Sequence, residues 1–141
     1  MFITVLATLV RASISEVPAE TPVDPSQWRC RNQVEVWCSA DGCAASEPEN
    51  FTPMDVSAGR DGALSVCAYT GCWDGAATVT AVQGRALWTA DSVRFSTNPD
   101  MVQAAVTLLI NEKDGVGFVK VGGLATPLLC EHGGVIQVDA E

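Results

Sequence analysis

From Trp28 onward the chain alternates apolar and polar residues in short runs, broken by Gly, Asp or Asn every eight to twelve residues. A period of two lets a strand bury one face, and turn residues at that spacing predict an all-β sandwich or barrel. In the first run Val34, Val36 and Cys38 share one face, with Gln33, Glu35 and Trp37 on the other. Met54, Val56 and Ala58 then alternate with Asp55 and Ser57, and Gly59 to Gly62 turn the chain into Leu64, Val66 and Ala68. Ala77, Val79 and Ala81 form the next apolar set, and Gln83-Gly84 reverses the chain toward Ala86, Trp88, Val93 and Phe95. Trp28 and Trp88 are assigned to the core.

Residues 99–110 read two ways. Asn98 as N-cap with Pro99 at the first helical position predicts a helical turn over 99–104. The β-branched centre of Val106–Ile110, the Asp114-Gly115 turn and the apolar run Val116–Val121 predict a hairpin. The expectation is one helical turn followed by strands; the alternative is a β-sandwich with one short helix near 99–110. Gly122-Gly123 then reverses the chain into Leu124–Cys130, where Pro127 marks an edge or a bulge.

Cysteine spacing turns this pattern into an architecture. The six cysteines are Cys30, Cys38, Cys43, Cys67, Cys72 and Cys130. Cys38/Cys43 and Cys67/Cys72 repeat the same C-x4-C spacing, each with a glycine (Gly42, Gly71) before the second cysteine to supply the positive φ of a tight reversal. Local closure of both pairs leaves Cys30–Cys130, so three disulfides are expected. Zinc ligation and a redox-active pair are the competing readings. C-x4-C falls within the zinc-ligand spacing, but such sites belong to reducing compartments and leave two cysteines and the N-terminal leader unexplained. Neither pair has the C-x-x-C spacing or the adjacent cation of a redox pair. A Cys30–Cys130 bridge would make the first and last strands neighbours. The expected fold is therefore a small antiparallel meander barrel of about eight short strands.

The N-terminus points to export. Phe2–Val10 is an apolar run of nine, too short for the ~20 residues that span a bilayer but suited to a secretory leader. No basic residue precedes it, so residues 1–15 are read as an atypical signal peptide. Pro18, Pro22 and Pro25 among spaced acids make 16–27 a linker, residues 28–131 the single β domain, and 132–141 a flexible tail containing the lone His132. A periplasmic or secreted location suits the disulfides.

With 8 Lys+Arg against 17 Asp+Glu and no basic run, the 141-residue chain lacks the cationic surface that nucleic acid or an anionic membrane requires. Removal of residues 1–15 leaves 7 bases against 17 acids, or −10. A basic protein partner fits that sign. Catalytic templates lack their parts: one histidine, no G-x-S-x-G elbow, no phosphate loop, no calcium loop, and no cofactor or metal is called for. The binding candidates are Tyr69, Trp73 and Asp74 on the segment pinned by Cys67–Cys72, together with Trp37 on the polar face of its strand. Trp73 has the competing role of capping one end of the barrel.

Trp28-Arg29-Cys30 in the first strand and Leu128-Leu129-Cys130 in the last resemble the small periplasmic inhibitors of c-type lysozyme, exported barrels whose terminal strands each carry a bridged cysteine. The resemblance implies a calycin-like barrel and an inhibitor-like mode of binding. That family's Ser-Gly segment leading to a Tyr, and its Phe-Trp segment, have no counterpart here, so no functional residues are carried over. The expected function is an exported module acting through its surface on a protein partner. A carrier of small apolar ligands and a hydrolase of unrecognised type are the alternatives.

Overall fold

The computed structural model describes residues 23–97 and 103–135. Eleven strands account for most of them: β1 (Val23–Arg31), β2 (Val36–Ser39), β3 (Gly42–Ala45), β4 (Asp55–Gly59), β5 (Ala63–Ala68), β6 (Gly71–Ala76), β7 (Thr78–Val82), β8 (Arg85–Phe95), β9 (Ala104–Asn111), β10 (Val116–Val121) and β11 (Leu124–Val135). Eight of them, in the order β1-β4-β5-β6-β8-β9-β10-β11, form an antiparallel sheet that closes when β11 pairs with β1. No described residue is helical. The expected all-β barrel is the fold.

Three strands lie outside the ring. The strand β7 pairs only with the first half of β8, whose second half pairs with β6. The hairpin β2–β3 hangs from the start of β11 through Leu124↔Trp37. The chain is thus a meander with one excursion, residues 32–54, between two neighbouring staves.

Period-two alternation sets the core. Val56, Val66, Trp88, Val106, Leu108, Ile110, Val119, Val121, Leu124 and Leu128 are all buried to 2% exposure or less. Trp88 meets the buried backbone through its indole N–H, which donates to the Gly59 carbonyl at 2.8 Å. Trp28 is buried as well.

The three disulfides join residues directly opposite in register: Cys30–Cys130, Cys38–Cys43 and Cys67–Cys72, with Cα separations of 4.0, 4.1 and 3.9 Å. The long bridge lies on the seam where the barrel closes. The role given to the glycines needs amending. Gly42 has φ 144°, but at the second hairpin the positive φ belongs to Tyr69 (60°), while Gly71 is required for space. A Cβ on Gly71 would lie 2.8 Å from Thr97 Oγ1 and 2.9 Å from Phe95 Cζ.

Several boundaries differ from the pattern reading. Residues 16–22 lie outside the described residues, but Val23–Gln27 belong to β1, with a register break between Asp24 and Trp28 spanning Pro25. β11 continues past Cys130 to Val135, so His132 is a strand residue whose ring stacks on Trp28 at 3.5 Å, not part of a tail. The pairing of β1 carries the last strand on, an effect invisible to local composition. The expected helical turn falls largely on residues 98–102, outside the described residues; Ala104 opens β9, and the Asp114-Gly115 hairpin to β10 is as expected. Gly115 has φ 71°, and Asp114 Oδ1 accepts from the Val116 N–H at 2.9 Å. Pro127 sits in β11 after the β2 contact and before the β1 pairing, where its missing N–H leaves no ladder bond unmade.

Candidate functional site

At one end of the barrel the last residues of β1, β5, β8 and β10 meet the first residues of β4, β6, β9 and β11. The 32–54 excursion crosses this end as a lid. Buried Asn32 fastens its two roots: the amide donates to the carbonyls of Val34 (3.2 Å) and Thr52 (2.9 Å), and Oδ1 accepts from the Met54 N–H at 2.7 Å. The far side is tied to β11, where the buried Thr126 hydroxyl bonds both the N–H and the carbonyl of Val36, and the Cys38 N–H donates to Gly123.

Glu35 sits at the centre of this lid, only 5% exposed. Its Oε1 accepts from Trp37 Nε1 (2.9 Å) and Ser46 Oγ (3.1 Å), and its Oε2 accepts from the Tyr69 hydroxyl (3.2 Å). Burial raises the pKa of Glu35, but the hydrogen bonds from Trp37, Thr52, Ser46 and Tyr69 outweigh it and hold the group below its ordinary value. Burial, and then the adjacent Glu35 charge, push the Tyr69 phenol up. Among the described residues no Lys or Arg pairs with Glu35; the ion pairs are Arg29–Asp55, Arg31–Asp55 and Arg60–Glu112. The carboxylate is therefore a buried negative charge held by neutral donors.

Above it stand two exposed aromatic rings. Trp37 (42% exposed) and Tyr69 (53%) have centroids 6.4 Å apart, inclined at 39°. Each sits on a hairpin closed by its own disulfide. The Trp37 ring lies against Gly123, where a Cβ would come within 3.0 Å of Cε3. Tyr69 occupies a left-handed conformation that a bulky residue rarely adopts, in a turn of two residues. Open grooves of about 470 Å3 beside Trp37 and about 380 Å3 beside Tyr69 flank the pair.

Of the four predicted binding residues, Trp37 and Tyr69 meet here. Asp74 does not: it lies exposed on the outer wall of β6, bonded by Ser65 and opposite Arg94 in register. Trp73 is a correction. It is 7% exposed and packs on Phe95 at a centroid distance of 4.6 Å, so it belongs to the core under this end and is not a surface residue. The reason is register: Trp73 pairs with Val66, already on the apolar face. Glu35 is the residue the pattern misplaced. Alternation set it beside Trp37 and Gln33 on a solvent face, whereas the lid turns it inward. Its spacing of two from an exposed Trp was a signal, but the donors Ser46 and Tyr69 come from other segments.

The fold is a closed eight-stranded antiparallel barrel stapled by three disulfides, with an aromatic edge over a buried carboxylate at one end. Comparison with family models, curated proteins and solved structures found no match to this chain.

Proposed function

We propose that this protein is an exported binding module that engages a basic protein partner through the Trp37–Tyr69 end of the barrel. The observation that carries the reading is the unpaired charge of Glu35 beneath two exposed aromatic rings. Aromatic side chains give large contact area at small entropic cost, and two disulfides hold the hairpins that present them. A formal charge of −9 steers a cationic partner toward any face of the molecule, and the lid gives that attraction a point of contact. Three disulfides accord with an oxidising compartment, and the apolar run Phe2–Val10 with export. Among the described residues no helix is long and apolar enough to cross a membrane.

A carrier of apolar ligands draws less support, because twenty buried apolar residues form the core cluster of the barrel. The test is titration of the protein against a panel of basic proteins, c-type lysozyme among them, by calorimetry at low and at physiological ionic strength. Saturable binding that weakens with salt and is impaired in Trp37→Ala is expected. Absence of binding to every member of the panel at low salt would overturn the proposal.

A further inference from the structure

The geometry points to a methylated ammonium group as the ligand of the Trp37–Tyr69 edge, with Glu35 supplying charge to it but no hydrogen bond. This rests on the reading above only in using the same residues. A carboxylate offers about four lone-pair directions. At Glu35 three are taken, by Trp37 Nε1, Ser46 Oγ and the Tyr69 hydroxyl, and the residue is only 5% exposed. A ligand at this edge therefore meets a negative potential and aromatic faces, with the carboxylate buried beneath them.

That combination discriminates among cations. A primary ammonium carries three donors and a guanidinium five, and at this exposed edge these stay hydrated and hold the cation away from the ring faces. A quaternary ammonium has none to satisfy. It gains from the negative potential of the ring faces when it lies within about 6 Å of their centroids. A separation of 6.4 Å with a tilt of 39° lets one cation meet that distance for both rings. Both rings donate their polar hydrogen to the same anion, which polarises electron density back into the ring systems and strengthens the attraction.

The surroundings agree with the sign. Asp41 lines the groove on the Trp37 side. Arg31 lines the groove on the Tyr69 side but lies 3.8 Å from Asp55, and Lys120 is turned aside to the Gly122 carbonyl at 2.8 Å. The rings are preorganised: Trp37 is seated on Gly123, and Tyr69 is fixed by its turn and its bond to Glu35.

The experiment is a titration of the full chain with tetramethylammonium chloride, read at the Trp37 indole N–H by NMR, with ammonium chloride and sodium chloride at matched concentration as controls. A saturable shift with tetramethylammonium alone is expected. Trp37→Leu or Tyr69→Leu, which keep apolar bulk but remove the π face, should each weaken it about fivefold, the equivalent of about 1 kcal/mol at an exposed ring. N-acetyl-trimethyllysine amide and phosphocholine then distinguish a protein side chain from a choline headgroup as the source of the same group. An equal response to ammonium or sodium, or an unchanged affinity in both leucine variants of native near-ultraviolet spectrum, would overturn the inference. Binding of a basic protein without any tetramethylammonium response sinks this inference and leaves the proposed function standing; the converse result does the reverse.

Discussion

Glu35→Gln isolates the ionised state of the buried carboxylate, because the amide keeps its shape. The amide oxygen can still accept from Trp37 and Ser46, and an amide N–H can meet the Tyr69 hydroxyl once it turns to accept. What is lost is the surplus of a charged over a neutral hydrogen bond, about 1 kcal/mol for each of three direct contacts, partly offset by removing a buried charge; about 2 kcal/mol remains. The sign with pH follows from the direction of the shift. The folded-state pKa lies below 4.5, so ionised Glu35 stabilises the fold above that value, and the contribution is lost as pH falls through the folded pKa. Urea unfolding of both proteins, followed by tryptophan fluorescence, should show a gap of about 2 kcal/mol near neutral pH that narrows only below 4.5. A gap that stays constant into strong acid, or no gap at neutrality, would refute the account of a carboxylate held ionised by three neutral donors.

Replacing Cys30 and Cys130 by Ala, which frees a loop of sequence separation 100, should lower stability by about 4–5 kcal/mol; opening either five-residue loop should cost about 2. Urea midpoints of the three double variants give the order. Gly71→Ala should destabilise by about 1–3 kcal/mol through Phe95 and Thr97, seen as a lower thermal midpoint, even though its φ is one that Ala can adopt. Asn32→Ala should loosen the lid at its root, with faster hydrogen exchange at the Met54 amide and a loss of about 2 kcal/mol. Trp73→Ala should cost about 3–5 kcal/mol in urea unfolding, whereas Trp37→Ala should cost much less and act on binding.

Much of the barrel was legible along the chain because sheets repeat a local rule. Met54, Val56 and Ala58, and Leu64, Val66 and Ala68, lie on the buried face as their alternation requires, since adjacent side chains must point to opposite sides of a strand. The disulfides were legible for a related reason. A C-x4-C pair across a two-residue turn is directly opposite in register, and removing those two pairs leaves one partner for Cys30. The reading failed where a residue's environment comes from a distant strand. Trp73 could have been placed from Val66, because a hairpin closed at Cys67 and Cys72 fixes that register; Asp74, one residue on, must then face out.

Glu35 shows the boundary between the two kinds of information. Alternation gives a residue its side of its own strand, but the excursion bearing Glu35 packs across the end of the barrel, where both sides are not equivalent to core and solvent. Its burial depends on Asn32 gripping Met54, on Thr126 holding Val36, and on Tyr69 arriving from the second stapled hairpin. Local order along the chain determined the strands, the turns, the staples and the closed seam, since each depends on neighbours in sequence or on a covalent count. Only the tertiary structure decided that an acid set among polar residues is a buried charge, and that Trp37 and Tyr69, thirty-two residues apart, share it. Donors from the lid and from the second stapled hairpin keep it ionised, and no pattern along one strand can specify that convergence.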